Sequence, residues 1–149
     1  MKLRVRSILF AALALISWLA TTNLALAQTT VAQEIYLRNC SSCHLPLPAQ
    51  VLPSEKWQQI LNNPDKHYGV SLPTSIKVQA RLIWTYLGRE SRPLNPGERL
   101  PNTVASARYF QALHPLVELP DPVNHQSCAT CHPKAKVLDY ETIASEPAN

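Results

Sequence analysis

Methionine is nearly absent from this sequence, because the only one among 149 residues is the first residue. Removal of an N-terminal leader would leave no thioether side chain to bind a soft metal ion. Glycine is also scarce, with three residues against thirteen prolines. This balance argues against tight hairpins and favours short helices joined by stiff, irregular segments. No stretch alternates clearly enough to predict a strand, so the expected fold class is all-α and loop-rich.

Residues 1–27 have the pattern of a secretory signal peptide. Three basic residues lie among the first six, and the apolar run Ile8–Ala20 follows them. The small–x–small triplet at residues 25–27 then predicts cleavage before Gln28. An uncleaved anchor is the alternative, but the run is short for a membrane span and polar residues 21–23 interrupt it. We therefore expect export and no stable membrane span after cleavage.

The charge of the chain is concentrated in this leader. The full sequence has 14 Lys and Arg residues against 10 Asp and Glu residues, and three of the basic residues precede residue 7. Without the leader the balance is 11 against 10. The expected mature chain therefore has no charge excess that would favour nucleic acid or a membrane surface as a partner.

All four cysteines lie in two copies of one motif, C-x-x-C-H, at residues 40–44 and 128–132. This pattern is typical of covalent c-type haem attachment. On a helical turn, residues i and i+3 face the same way, so two thiols can reach the two vinyl groups on one haem edge. The histidine that follows meets the iron as its proximal ligand. The motifs predict two haems c, attached at Cys40, Cys43, Cys128 and Cys131 and bound by His44 and His132.

Four exported cysteines could instead bind zinc or form disulfides. This alternative is less favoured because haem c attachment is itself an extracytoplasmic step in bacteria. The predicted signal peptide and the two motifs therefore support each other.

The second axial ligand of each haem is predicted by elimination. Haem c electron carriers commonly use methionine opposite histidine, and the expected mature chain has none. Three histidines remain outside the motifs, namely His67, His114 and His125. Two of them would suffice to make both haems bis-histidine, low-spin and closed to added ligands.

His67 and His114 are the favoured pair. His67 follows the first motif by 23 residues, far enough to reach the opposite haem face, although a surface histidine in a turn is the alternative. His114 ends a predicted helix 18 residues before His132, where an interaction with the helix dipole is the alternative. His125 would share a helix with the proximal ligand and so reaches the distal face poorly. Crossed ligation between the two halves stays open.

Apolar spacing and capping residues predict five helices and two haem lobes. The domains are a first lobe at 28–90, a proline-rich connection at 91–101 and a second lobe at 102–149. The first predicted helix begins near Thr30 and ends in the first motif. The other four extend from a Ser54 cap to Asn62, from Ser71 or Thr74 to a stop at Gly88, from Asn102 or Thr103 to His114, and from Asn124 to His132. Aromatic side chains expected to line the haem pockets are Trp57, Tyr68, Trp84, Tyr109 and Phe110.

These features, in this order, resemble the small dihaem cytochrome c family of phototrophic and other bacteria. The resemblance covers about Ile35 to Glu141. The motifs that carry it are Cys40-x-x-Cys43-His44, Trp57 with Ile60 and Leu61, His67-Tyr68-Gly69, the helix end at Ile83–Leu87, Tyr109-Phe110 before His114-Pro115, and Ser127-Cys128-x-x-Cys131-His132.

The resemblance implies a two-lobed, bis-histidine protein. It assigns His44 and His67 to haem 1, and His132 and His114 to haem 2. It also implies electron donation to a redox-partner protein, a cytochrome with an open, oxygen-binding haem. His125 has no counterpart in the family pattern.

Two functions of different classes follow from these patterns. The leading interpretation is an exported electron carrier that is not an enzyme, located in the periplasm, or in the thylakoid lumen if the source is a phototroph with internal membranes. The alternative is a haem enzyme or gas-binding sensor with one open iron, which requires His67 or His114 not to bind.

The first prediction concerns covalent haem content. The exported protein should have the mass of residues 28–149 plus two haems, and its pyridine haemochrome spectrum should be that of haem c. Intact mass spectrometry and the haemochrome assay check this result. A colourless protein, or one whose mass fits bound zinc or disulfides, would contradict it.

Overall fold

The computed structural model describes residues 30–120 and 122–144, without the side chains of residues 125 and 126. The predicted signal peptide therefore lies outside the described residues. The described chain from Ala32 onward belongs to one compact unit. Within the described ranges no helix has both the length and the apolar character needed to cross a membrane.

The described chain is helical and contains no strand, which confirms the predicted all-α class. The helices are α1 at residues 30–40, α2 at Ser54–Asn62, α3 at Thr74–Glu90, α4 at Arg108–Leu113 and α5 at His125–Cys131. Short 3-10 turns at Ala49–Val51 and Pro64–Lys66 lie before and after α2, and a third at Ala135–Val137 follows the last helix.

Helix α2 begins one residue earlier than predicted, because Ser54 is its first residue and not its cap. Pro53 precedes it, and the Pro53 carbonyl accepts hydrogen bonds from the backbone N–H groups of Lys56 and Trp57. Proline suits this position because its φ angle is compatible with entry into a helix. The Ser54 hydroxyl is hydrogen bonded to that of Ser91 at 2.8 Å, which ties α2 to the end of α3.

Helix α3 continues beyond Gly88, so the predicted stop at this glycine is wrong. The ring of Trp84 lies over Gly88, and a Cβ atom at position 88 would be only 2.7 Å from Trp84 Cε2. Glycine is thus required by close packing within the helix and not by a left-handed turn after it. The helix ends two residues later at Glu90.

Helix α4 is shorter than predicted. Residues 102–106 form turns in which the Thr103 and Ser106 hydroxyls hydrogen bond to one another and to nearby backbone groups. Such side-chain bonds compete with helix formation and delay its start to Arg108. The helix ends before His114, as the following proline predicts.

The core is centred on Tyr36 of α1. Its ring meets Trp57 edge-on at 6.1 Å and lies 5.3 Å from the ring of Tyr86 on α3. The Tyr36 hydroxyl donates to the Leu47 carbonyl at 2.6 Å, and Trp57 Nε1 donates to the Ala49 carbonyl at 2.8 Å. The polar atoms of Tyr36 and Trp57 thus both have backbone partners, which fix the irregular segment after the first motif to α1 and α2.

The proline-rich segment after α3 is tied back to α2 and closed by an ion pair. The Arg92 carbonyl accepts a hydrogen bond from the Ser54 N–H at 2.7 Å. The Arg92 guanidinium binds both carboxylate oxygens of Glu98, at 2.8 and 2.6 Å. This bidentate bond, with a further one from the Asn95 N–H, lowers the pKa of Glu98 to about 2.

Glu98→Gln should therefore destabilise the haem-loaded protein in a pH-dependent way. We expect the free energy of unfolding to fall by about 1–2 kcal/mol at pH 7. Because the folded-state pKa is depressed, the carboxylate stabilises the fold above about pH 4.5 and loses this effect as the pH falls towards 2.

Urea unfolding at pH 7 and pH 3, followed by circular dichroism, measures the difference from the unsubstituted protein. That difference should be smaller at pH 3. Glu118→Gln is the control because Glu118 is exposed, and it should leave stability unchanged. An equal deficit at both pH values for Glu98→Gln would contradict the ion-pair explanation.

Candidate haem sites

The first C-x-x-C-H motif straddles the end of α1. Cys40 is the last helical residue, whereas Cys43 and His44 lie in the turn that follows. The turn is held by the Ser41 N–H, which donates to the Leu37 carbonyl at 2.9 Å. Cys40 is half-buried and Cys43 is exposed, so the two thiols lie at the border between the core and the surface.

The second motif lies on α5 almost entirely. Cys128 and Cys131 are both helical, and the His132 N–H donates to the Cys128 carbonyl at 2.8 Å, which extends the helical bonding by one residue. The i, i+3 spacing of the two thiols therefore has the helical geometry that the sequence predicts.

All four thiols are free in the structure. Burial, and next the neighbouring Cys43, raise the pKa of Cys40 to about 12, and burial raises the pKa of Cys128. A buried thiol that stays protonated is a poor metal ligand. Within residues 30–120 and 122–144 no group of three or more His, Cys, Asp or Glu side chains is arranged to hold a metal ion.

The structure brings His44 and His67 together, although 22 residues separate them in the sequence. Their ring centres are 6.1 Å apart and the ring planes are inclined by 21°. The intervening chain is α2 and the turn at Pro64–Lys66. His67 is held at the end of this turn by two backbone hydrogen bonds with Val70, at 2.9 and 3.0 Å.

His114 and His132 form a second pair. Their ring centres are 6.2 Å apart, and here the planes are almost perpendicular at 86°. His114 follows α4 directly, and the ring of Phe110 packs against it at 4.4 Å. The two pairs therefore have nearly equal spacing but different relative ring orientation.

This spacing fits one haem iron between the two rings of each pair. A metal–imidazole bond of about 2 Å on each side, with about 1.1 Å from each nitrogen to its ring centre, places two axial rings about 6 Å apart. Direct contact between imidazoles would bring the ring centres closer. The residues present thus fit the cofactor that the two motifs predict.

In each pair, a backbone carbonyl holds the ring of one histidine through its Nδ1 atom. His44 Nδ1 lies 2.7 Å from the Leu45 carbonyl oxygen, and His114 Nδ1 lies 2.8 Å from that of Phe110. A carbonyl only accepts, so Nδ1 of each ring carries the hydrogen and Nε2 keeps its lone pair. This is the tautomer and the outer hydrogen bond expected of a metal-binding histidine.

The other two histidines, His67 and His132, are half-buried. Nδ1 of His67 and Nδ1 of His132 are both buried and have no hydrogen-bond partner among the described residues. Burial, followed by the neighbouring His44 and Lys56, lowers the pKa of His67 and favours its neutral form. A neutral imidazole is the form that binds iron.

His125 begins α5, but its side chain lies outside the described residues. The prediction that His125 is not an iron ligand therefore stays a prediction. Of the aromatic side chains expected to line the haem pockets, Tyr68 contacts His67 and Phe110 contacts His114. Trp57 instead belongs to the core around Tyr36. Tyr109 is partly exposed and stacks on the Arg92 guanidinium at 6.0 Å.

Tyr140 is a site residue that the sequence patterns missed. Its ring lies 5.1 Å from that of His132, and its hydroxyl donates to the Pro46 carbonyl at 2.9 Å. Burial, and next the neighbouring Cys128, raise the pKa of Tyr140. Pro46 follows His44 by two residues, so Tyr140 links the two motifs across 94 residues of sequence. The only sequence signal for Tyr140 is its position eight residues after His132.

Comparison with known proteins agrees with this geometry. The family model of dihaem cytochrome c matches residues 36–140. Among solved structures, the X-ray structure of a diheme cytochrome type c from Shewanella baltica OS155 is similar, with 26% sequence identity and a TM-score of 0.51. The match covers 70% of this chain and 84% of that one. No curated protein matched the sequence.

The family match spans most of the chain and includes both motifs and all four paired histidines. Membership implies two covalently bound haems c. The chain belongs to the dihaem cytochrome c family.

Proposed function

We propose that this protein is an exported one-electron carrier between redox proteins, with both haems bis-histidine and low-spin. The observation that carries the proposal is the equal spacing of the two imidazole pairs, 6.1 and 6.2 Å between ring centres. Each iron bound by two such rings has no open position for oxygen, peroxide or substrate. An iron of this kind gains and loses electrons without making or breaking a bond to a substrate.

The residues have separate roles in this proposal. Haem 1 is bound by His44 and His67, and haem 2 by His132 and His114. The thioether attachments are Cys40 and Cys43 for haem 1, and Cys128 and Cys131 for haem 2. Haem c supplies an iron that cycles between Fe(III) and Fe(II). The Leu45 and Phe110 carbonyls hold the His44 and His114 rings in the binding orientation.

One side chain, Tyr140, connects the surroundings of the two proposed haem sites. Tyr140 packs on His132 of the second site and is hydrogen bonded to Pro46, next to the first site. This contact supports transfer within the protein from one haem to the other. In the proposed organisation, residues 28–90 and 102–149 form the haem lobes and residues 91–101 join them.

The proposed location is the periplasm, or the thylakoid lumen of a phototroph with internal membranes, since haem c is attached outside the cytoplasm. The partner class is a redox protein, and the resemblance described above favours a monohaem cytochrome that binds oxygen. The nearly balanced charge of residues 28–149 gives no electrostatic reason for a nucleic-acid partner.

Carbon monoxide binding to the reduced protein tests the ligand assignment. The unsubstituted protein should bind none, because both irons are closed. His67→Ala should open haem 1 and His114→Ala should open haem 2, so that each variant binds one carbon monoxide per chain and the double variant binds two. Titration of the Soret absorption band measures these stoichiometries.

His125→Ala is the matched control, because it removes a histidine that the proposal does not assign to either iron. It should bind no carbon monoxide. Rapid binding to the unsubstituted protein would favour the alternative class, a haem enzyme or gas sensor with an open iron. Opening of a site by His125→Ala would contradict the assignment of the distal ligands.

A further inference from the structure

Lys56 on α2 is a buried lysine without an acidic partner among the described residues. Its exposed fraction is only 8%, and lysine is almost never so buried unless it is paired with a carboxylate. Its Nζ donates to Gln59 Oε1 at 3.0 Å, and no ion pair to a carboxylate is found for it in residues 30–120 and 122–144. Burial lowers the pKa of Lys56, as expected for a charge removed from water.

The ammonium group lies close to an aromatic ring that contacts the first haem site. Lys56 Nζ lies over the ring of Tyr68, 5.3 Å from its centre, and this ring lies 5.1 Å from that of His67. Tyr68 has a positive φ of 50°, a backbone conformation that is uncommon for tyrosine. The ring of Tyr68 therefore contacts both the Lys56 ammonium group and the proposed distal ligand of haem 1.

Among the described contacts of His114 and His132 in the second site, no buried cation corresponds to Lys56. Lys134 follows His132 by two residues, but its side chain is 61% exposed and it pairs with Asp139 at 3.7 Å. Solvent and the carboxylate both weaken the field of this charge. The two sites thus differ in electrostatic surroundings although their proposed ligands are the same.

We propose that Lys56 raises the reduction potential of haem 1 relative to that of haem 2. This inference rests on the function proposed above. When Fe(III) accepts one electron from a donor protein and becomes Fe(II), the positive charge of the site falls by one. A nearby ammonium opposes the more positive Fe(III) state and so favours reduction. Electrons that enter the protein are then held on haem 1 to a greater extent than they would be without Lys56.

The contacts of Tyr68 with Lys56 and His67 place the ammonium group at most about 10 Å from the centre of the His67 ring. A unit charge roughly 10 Å away, at an effective dielectric constant of about 20, changes the reduction equilibrium by about tenfold. For a one-electron couple this corresponds to about 59 mV.

Redox titration of three haem-loaded variants tests this role. Lys56→Met removes the charge and keeps most of the side-chain volume, whereas Lys56→Arg keeps the charge. Lys66→Met is the control, because it removes the charge of an exposed lysine next to His67. Electron paramagnetic resonance follows the two haems separately, because their proposed ligand planes differ in angle, 21° against 86°. Pyridine haemochrome assays verify that each variant carries two haems.

Lys56→Met should lower the potential of haem 1 by about 59 mV, a tenfold change, and leave haem 2 unchanged. Lys56→Arg and Lys66→Met should stay close to the unsubstituted protein. The inference is overturned if Lys56→Met leaves haem 1 unchanged, if it shifts both haems equally, or if Lys56→Arg causes the same fall, which would indicate packing and not charge.

The same samples separate failure of this inference from failure of the proposed function. If the function is wrong, the unsubstituted protein shows a high-spin or carbon monoxide-binding iron. If only the role of Lys56 is wrong, both haems stay low-spin and closed while the potential of haem 1 does not respond.

Discussion

The spacing of two imidazole pairs is the constraint on which the other features of this protein depend. An iron fits between two rings only if their centres are about 6 Å apart, and both pairs meet this requirement. In the first pair, His44 follows α1 and His67 follows α2, so the packing of these helices around Tyr36 determines the distance. In the second pair, His114 follows α4 and His132 follows α5.

The parts of the fold that depend on local sequence were predictable, and the parts that depend on packing were not. The all-α class and the existence of the helices followed from apolar spacing and proline positions. Ser54 was predicted as a cap because hydroxyl side chains commonly cap helices, but its hydroxyl is bonded to Ser91. Gly88 was predicted to end α3, yet it lies within the helix because Trp84 packs on it. Neither contact is visible in the local sequence.

The same division applies to the candidate site. The composition of the expected mature chain, which has no methionine, left His67, His114 and His125 as candidate ligands, and helix geometry disfavoured His125. The structure adds that the first two of these histidines lie opposite His44 and His132. Tyr140 and Lys56 could not be found in this way. Tyr140 matters because its hydroxyl reaches Pro46 across 94 residues, and Lys56 because it is buried over Tyr68. Both properties arise only from the tertiary fold.

Electron paramagnetic resonance of the oxidised, haem-loaded protein at neutral pH tests the central claim most directly. Two irons, each between two imidazoles, should give low-spin signals only. The signals should differ in shape, since the ring planes of one pair are nearly parallel and those of the other nearly perpendicular. A substantial high-spin signal from either iron would contradict the account, because it would mean that one of the four paired histidines does not bind.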